Sequence, residues 1–192
     1  LWPDAALAAP SANPFGYVSP TRASHVAEGL GDRIDGLLDG GPCEHGVEST
    51  IVATGTDHLV LLRPGPLEAS ALEEAAALPV REGAAGPRPA APGGLPSHYC
   101  PAKSLTLFDG PGYPRPGPGE AVVLLARPSG EEPGVFWLSE QGDLAEVARN
   151  LFHLLRVLDG RREVGAIRCE LPAEGGGLAP ALRDRLRRAA KA

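Results

Sequence analysis

The chain has 192 residues, of which 43% are hydrophobic and 22% charged, and its formal net charge is −6. This composition is typical of a globular protein with one domain or two small ones. The acidic balance argues against a protein that coats nucleic acid or a membrane surface, since such partners require a basic face.

Cysteine usage and hydropathy further restrict the class of protein to which this sequence can belong. The three cysteines, Cys43, Cys100 and Cys169, are far apart and odd in number, which favours a reducing compartment over a disulfide framework. They do not combine with histidines at a zinc-site spacing, and no apolar run reaches the roughly 18 residues of a membrane span. We therefore expect a cytoplasmic protein without a metal centre or a membrane segment.

The sequence contains no methionine and begins at Leu1. Because an initiator methionine is normally removed only before small residues, we expect that this sequence is a piece of a longer reading frame.

Small hydrogen-bonding side chains crowd the stretch 9–21, directly before the first predicted helix. This helix is predicted to have Ser19 as its N-cap and Pro20 as its first residue, and to end at Gly31. Because a helix N-terminus attracts negative charge, the stretch is a candidate anion site; an ordinary turn of small residues has the same composition. The apolar face of the helix, spaced i, i+3, i+4 and i+7, consists of Ala23, Val26, Ala27 and Leu30.

The following segments predict three strands and a helix. An alanine- and glutamate-rich stretch at 67–78 indicates the helix. Pro64 and Gly65 stop the last strand, so Arg63 is expected to project from a strand end. The strand patterns lie at 34–38, 46–53 and 59–62.

Glycine, proline and alanine dominate from residue 83 to residue 101, which is typical of an extended linker. A segment that only separates two domains does not require the side chains of His98 and Tyr99 near its end. We interpret these two side chains either as part of a lid that folds over a site or as anchors that hold the linker on a domain surface.

Strands alternate with a long helix after Lys103, which predicts a small α/β layer with a largely parallel sheet. The helix follows Asp143, ends before Gly160 and carries its apolar residues on one stripe, with His153 off the stripe and expected at the surface. The strands are predicted at 105–108, 121–126, 135–138 and 166–171.

The end of the chain is rich in cations. They fit either a local basic patch or, as the simpler interpretation, a solvated final helix whose cations complement its C-terminal dipole. These residues are Arg183, Arg185, Arg187, Arg188 and Lys191.

Short motifs follow one another along the chain: Ser11-Ala12-Asn13, Ser19-Pro20-Thr21, Gly46-Val47-Glu48-Ser49-Thr50, Arg63-Pro64-Gly65 and His98-Tyr99-x-Pro101. In this order they resemble the YrdC family in its long, two-domain form, the L-threonylcarbamoyladenylate synthases. Segments 148–159 and 182–189 are similar to the C-terminal domain of that subgroup.

The resemblance implies an α/β fold in two domains. The C-terminal part of a YrdC-like catalytic domain, with a twisted, strand-rich sheet, is expected in residues 1–82. A Gly/Pro-rich linker is expected in 83–102, and a small Rossmann-like α/β domain in 103–192.

The resemblance also implies a reaction. L-threonine, bicarbonate and ATP, with Mg²⁺ as the companion of ATP, would give threonylcarbamoyl-AMP and pyrophosphate, which is a nucleotidyl transfer. This is the first step of tRNA threonylcarbamoyladenosine formation, and the product would pass to a tRNA-modifying transferase complex. Stable nucleic-acid binding and membrane partners are not expected.

Site residues are implied motif by motif, and none of them is a nucleophile, because the displacement requires alignment and charge neutralisation only. Tyr99 is expected to reach the nucleotide when the linker closes. The expected L-threonine contacts are the backbone of Ala9 and the side chain of Ser49. The expected ATP contacts are Ser11, Asn13, Ser19, Arg63 and Tyr99.

The chain departs from the family in two respects. The family's Lys-x-Arg motif is absent from this sequence, so we expect the 192-residue chain alone to be inactive. The residues before His98, Leu95-Pro96-Ser97, replace the usual basic and aromatic pair. The alternative function is that of a degenerate, non-catalytic member that binds a nucleotide or RNA.

Overall fold

The computed structural model describes residue 6, residues 11–83, residue 95 and residues 97–191. Ala9, predicted to line a threonine pocket, and most of the predicted linker lie outside the described residues. The described residues form two separate sheets with helices beside them, which confirms the α/β class.

The first sheet has three short strands in the order β1-β2-β3. β1 runs antiparallel to β2, and β2 runs parallel to β3. The elements of this part are α1 (Ala23–Leu30), β1 (Ile51–Thr54), β2 (Leu59–Arg63), α2 (Ala69–Ala76) and β3 (Val80–Glu82). The predicted strand at 59–62 and the predicted helix at 67–78 are thus confirmed, whereas β3 was not predicted.

The second sheet has four strands in the order β4-β7-β5-β6, all parallel. Its elements are β4 (Ser104–Phe108), β5 (Glu120–Ala126), β6 (Val135–Ser139), α3 (Leu144–Gly160), β7 (Ala166–Glu170) and α4 (Ala179–Ala189). The continuous apolar run of β5 is buried from Ala121 to Leu124, as a parallel sheet covered on both faces requires. The predicted strands and the largely parallel sheet are confirmed.

Helices α3 and α4 supply the main core beside this sheet. Asp143 is the N-cap of α3, because its side chain accepts a hydrogen bond from the Glu146 amide at 2.8 Å. The apolar stripe of α3, including Leu151 and Leu155, is buried against Leu182 and Leu186 of α4 and the sheet. None of the described helices is long and apolar enough to cross a bilayer.

The predicted start of the first helix is wrong. α1 begins at Ala23, after Arg22 in extended conformation, so Ser19 and Pro20 precede it. The cause is local competition for hydrogen bonds, since the Thr21 amide donates to Nδ1 of His25 at 3.1 Å. The face of α1 also differs from the prediction, because His25 is its buried residue and Ala27 is exposed. Gly31 does end the helix, with φ +50.

Two further predictions in the first part of the chain are corrected. Residues 34–38 form no strand, and Leu38 is 98% exposed, so the burial that would hold an apolar run in a sheet is missing there. The strand predicted at 46–53 begins only at Ile51, because residues 46–50 form a loop that packs on α3 and α4.

The final helix is not uniformly solvated, since Arg185 is 0% exposed. His153 is partly buried rather than at the surface, and its Nδ1 lies 3.1 Å from Nε2 of His25. Both corrections have a similar cause, since α1 contacts His153 on α3 and the loop 46–50 contacts Arg185 on α4.

Candidate functional site

Glu48 lies in the loop before β1, where three segments of the chain meet. One carboxylate oxygen, Oε1, accepts a hydrogen bond from the Ser19 hydroxyl at 2.6 Å. The other, Oε2, accepts one from Nε of Arg185 at 2.7 Å, and Nη2 of Arg185 lies 3.4 Å from the Glu48 carbonyl oxygen. We call this set of three residues the Ser19–Glu48–Arg185 cluster.

The electrostatics of the cluster keep Glu48 ionised. Burial by itself raises the pKa of Glu48, but the positive charge of Arg185 and the hydrogen bond from Ser19 lower it more, so the net pKa lies below the usual range. The carboxylate is therefore an acceptor only. The Ser19 hydroxyl must donate its single proton to Glu48, and it can only accept hydrogen bonds from anything else.

Arg63 ties the end of β2 to the same loop. Its Nε donates to the Ser49 carbonyl oxygen at 3.1 Å, and its Nη2 donates to the Ser49 hydroxyl oxygen at 3.2 Å. The next residues of the motif allow this approach, because a Cβ on Gly65 would overlap the backbone of Ser49 and Thr50. The Arg-Pro-Gly motif and the loop 46–50 are therefore in direct contact.

The loop 11–21 is held partly by its own side chains. The Asn13 amide nitrogen donates to the carbonyl oxygens of Pro14 and Tyr17, at 3.1 and 3.2 Å. Ser11 is exposed. The Gly16 carbonyl oxygen accepts a hydrogen bond from the Cys100 amide at 2.9 Å, so this loop contacts the end of the predicted linker.

Tyr99 lies inside the molecule, at 1% exposure, with a φ of +65. Its ring stacks on Phe152 with centroids 5.5 Å apart and meets the ring of His98 edge-on at 4.2 Å. The guanidinium carbon of Arg185 lies 5.4 Å from the centroid of the Tyr99 ring, within the range of a cation–π interaction. The residue is thus packed into the core rather than held at an open surface.

Three buried side-chain atoms in the described part of the chain have no hydrogen-bond partner there: Asn13 Oδ1, His98 Nδ1 and Tyr99 Oη. All three belong to motifs singled out in the sequence. Because buried polar atoms are normally paired, such atoms mark places where a ligand or water completes the hydrogen bonding.

The predicted site residues converge in part. Ser19 bonds the Glu48 carboxylate, and Ser49 follows Glu48 in the chain. Arg63 bonds Ser49. Tyr99 contacts the cluster through Arg185. Asn13 and Ser11 lie in the neighbouring loop, and Ala9 is outside the described residues.

Sequence reasoning assigned no role to Glu48 or Arg185, which connect the other residues. One signal was available for Arg185. It lies four residues after Ala181 and four before Ala189, on the buried face of α4, where a cation requires a partner.

The other cations of α4 line a cleft of about 660 Å³ beside β2 and β3. Two of them pair with carboxylates: Arg183 with Glu174 at 3.0 Å and Arg188 with Asp184 at 2.8 Å. The cleft therefore combines both signs of charge. Among the residues that the structure describes, no three His, Cys, Asp or Glu side chains are grouped as metal ligands would be.

Comparison with known families matches nearly the whole chain. Residues 67–191 match the family model described as "Threonylcarbamoyl-AMP synthase, C-terminal domain". Residues 3–65 match the model described as "Telomere recombination".

Curated relatives give the same result. The chain is 35% identical over 198 residues to a threonylcarbamoyl-AMP synthase of Pyrococcus abyssi, covering 95% of this chain and 57% of the relative. It is 34% identical over 202 residues to that of Bacillus subtilis, covering 96% and 57%. A Schizosaccharomyces pombe protein of the same name is 53% identical over 62 residues, or 32% of this chain and 15% of the relative. The chain therefore spans a little over half the length of the first two.

Solved structures agree with the sequence matches. The crystal structure of P. abyssi Sua5 complexed with L-threonine has a TM-score of 0.75 and 31% identity, covering 94% of this chain and 56% of that one. A P. abyssi Sua5 variant in which an adjacent histidine and tyrosine are both replaced by alanine has a TM-score of 0.74 and 32% identity, with the same coverage. On the family models, the relatives and the shared fold, the chain belongs to the threonylcarbamoyl-AMP synthase family.

Proposed function

We propose that the protein synthesises threonylcarbamoyl-AMP from L-threonine, bicarbonate and ATP, releasing pyrophosphate. The observation that carries the proposal is the convergence of the Ser-Pro-Thr, Glu-Ser-Thr, Arg-Pro-Gly and His-Tyr motifs around the Ser19–Glu48–Arg185 cluster. The named activity of the relatives and the complex of P. abyssi Sua5 with L-threonine support the same reaction.

The chemistry has two steps. The threonine amine attacks bicarbonate, forming a carbamate and releasing water. A carbamate oxygen then attacks the α-phosphorus of ATP, while the bond to the β,γ-pyrophosphate breaks and pyrophosphate leaves. Neither step needs a protein nucleophile, so the protein's task is to align the reactants and to stabilise the phosphate charge.

Residue roles follow from the chemical character of each side chain. Arg63 suits the phosphates, because a guanidinium offers several donors to oxyanions. Ser49 would contact threonine, and its hydrogen bond with Arg63 would link the two substrates. Ser19, which can only accept further hydrogen bonds, would face a donor group such as a sugar hydroxyl rather than a phosphate oxygen. Asn13 and Ser11 complete the proposed ATP side, and the backbone of Ala9 the threonine side.

The domain assignment belongs to the same proposal. Residues 1–82 would form part of the catalytic domain, 83–102 the linker, and 103–192 a Rossmann-like domain. Mg²⁺ would enter with the phosphates of ATP, since it is commonly held through substrate phosphates. The protein would act in the cytoplasm, and its product would pass to a tRNA-modifying transferase complex.

Pyrophosphate release with ATP, L-threonine and bicarbonate tests the activity. We expect turnover by the protein expressed from its complete reading frame, dependent on all three substrates, and none by the 192-residue chain, which lacks a Lys-x-Arg motif. Turnover by the 192-residue chain would contradict the second expectation. A complete protein that is stabilised by ATP without turnover would instead be a non-catalytic nucleotide binder.

The Tyr99 hydroxyl provides a residue-level test, because it is buried without a partner in the described structure. Tyr99→Phe keeps the ring on Phe152 and removes only this hydroxyl. If the hydroxyl binds the nucleotide, the KM for ATP should rise about 3- to 10-fold, which corresponds to the loss of one hydrogen bond. Tyr113→Phe is the matched control, since the Tyr113 hydroxyl bonds Glu132 far along the chain from these motifs. Equal KM values in both variants would remove Tyr99 from the ATP site.

A further inference from the structure

Arg185 lies on a helix of the second part of the chain but also has partners in the first part and the predicted linker. Its guanidinium bonds the Glu48 carboxylate at 2.7 Å and the neighbouring Asp184 carboxylate at 2.7 Å, and lies against the Tyr99 ring. Its own side chain is 0% exposed, whereas those of Glu48 and Asp184 are 21% and 19% exposed.

Such an arrangement is poorly explained by stability. Burying a charged pair costs desolvation energy, and an apolar replacement of both partners is often neutral or stabilising. What the pair does supply is direction, because charge-assisted hydrogen bonds have narrow geometry. Here the bonds of Arg185 to Glu48 restrict the orientation of two residues next to Glu48, Ser19 and Ser49.

We propose that Arg185 is a positioning residue for the reaction: from α4 it fixes the Glu48 carboxylate, which orients the Ser19 hydroxyl and the backbone that carries Ser49. This inference rests on the proposed function. According to this inference, α4 keeps the loop that carries Ser19 and the loop that carries Ser49 in a fixed relative position.

Hydrogen bonds make every link in this series of contacts. Arg185 occupies Glu48 Oε2, which leaves Oε1 to accept from Ser19. The hydroxyl proton of Ser19 is thereby turned towards Glu48. The second bond of Arg185, to the Glu48 carbonyl, holds the peptide that leads directly into Ser49. Arg63 then holds Ser49 from the other side.

The test uses the protein from the complete reading frame and compares Arg185→Gln with Arg183→Gln. Both residues are on α4 and both pair with a carboxylate, but Arg183 pairs with exposed Glu174, away from the motifs. We expect Arg185→Gln to lower kcat/KM for L-threonine and ATP by about 10- to 100-fold, the loss of one charged hydrogen bond. Arg183→Gln should stay within about twofold of the wild type, because its partner Glu174 is 83% exposed and such a pair contributes little.

Two readouts separate positioning from a purely structural effect. Arg185→Lys retains the charge with one nitrogen, so it should recover part of kcat/KM. A general loss of folded protein would lower the apparent kcat alone and leave KM unchanged. In Arg185→Gln the acidic limb of the pH–rate profile should move to higher pH, because Glu48 loses the charge that favours its ionised form.

Glu48→Gln keeps the experiment decisive if Arg185→Gln does not fold. This variant preserves the side-chain volume, and we expect it to lower kcat/KM to a similar extent. If Glu48→Gln and every folded Arg185 variant have the same kinetics as Arg183→Gln, the inference is wrong. The proposed function is unaffected by that outcome. A complete wild-type protein that forms no threonylcarbamoyl-AMP overturns the proposed function and, with it, the inference.

Discussion

The four-stranded sheet with α3 and α4 and the three-stranded sheet differ in how much apolar surface they bury. In the described part of the chain before residue 84, Val18 and Leu59 are the buried apolar residues, and Val18 packs into the core of the other sheet. The remaining buried apolar residues, apart from Tyr99, lie between Leu105 and Ala189. One region thus has its own core, and the other depends on its neighbour.

The dependent region is fastened mainly by polar contacts. Arg156 of α3 donates to the carbonyl oxygens of Val18 and Ser19, at 2.5 and 3.4 Å. Arg149 of α3 donates to the Glu44 carbonyl oxygen at 3.1 Å, and Arg185 of α4 bonds Glu48. The loops that carry the motifs are therefore placed by cations of helices that belong to the other sheet.

The largest expected effect comes from a core truncation in the second region. Leu151→Ala removes a fully buried side chain of α3, and we expect a loss of about 2–5 kcal/mol in the free energy of unfolding. Leu61→Ala in β2 truncates a partly buried residue and should cost clearly less. Urea unfolding followed by circular dichroism measures both. Equal losses would mean that the three-stranded sheet has a comparable core.

The contact between the loop 46–50 and α3 can be broken at one glycine. A Cβ on Gly46 would overlap the backbone of Ala148 and Arg149, and its φ is +70. Gly41 has a similar φ, +87, with open space around it. We therefore expect Gly41→Ala to cost about 1–2 kcal/mol from backbone strain alone, and Gly46→Ala to cost more.

Thermal unfolding of the two glycine variants, with threonine titrations of the complete protein, tests this expectation. Under the proposed function, Gly46→Ala should also weaken threonine binding, because the displaced loop carries Ser49. If both variants lose the same stability and bind alike, the loop does not depend on α3.

A pH dependence is expected at the contact of α1 with α3. Burial lowers the pKa of His25 to about 4, helped by the charge of Arg156 and by His153 and Arg22. Between about pH 4 and the ordinary pKa of about 6.5, the unfolded state therefore binds more protons than the folded state. The free energy of unfolding should therefore be highest above pH 6.5 and fall as the pH is lowered, by at most about 1.4 kcal/mol per pH unit for one proton.

His25→Asn should reduce this slope, because asparagine can accept from the Thr21 amide without titrating. His45→Asn, at an exposed histidine, is the control and should leave the slope unchanged. Denaturant midpoints measured from pH 7 to pH 4.5 provide the comparison. Identical slopes for the two variants would show that the α1–α3 contact does not sense pH.

Elements with strong local patterns were predictable. The stripe of α3 and its Asp143 cap, the apolar run of β5 and the Arg63 position at the end of β2 all follow from spacing within a few residues. The ordered motifs also identified the family. The start of α1 was not predictable in this way, because it depends on a side-chain bond between Thr21 and His25 that competes with the usual cap.

The α/β class, the parallel sheet and the set of motifs could be read from the amino-acid sequence, because hydrophobic periodicity and short motifs are local properties of the chain. The folded arrangement was needed to show that Tyr99 is buried, that Arg185 bonds Glu48 and that the Ser19 hydroxyl donates a hydrogen bond to Glu48. These features depend on residues far apart in sequence, since a buried charge must find its partner wherever the fold brings one within hydrogen-bond distance.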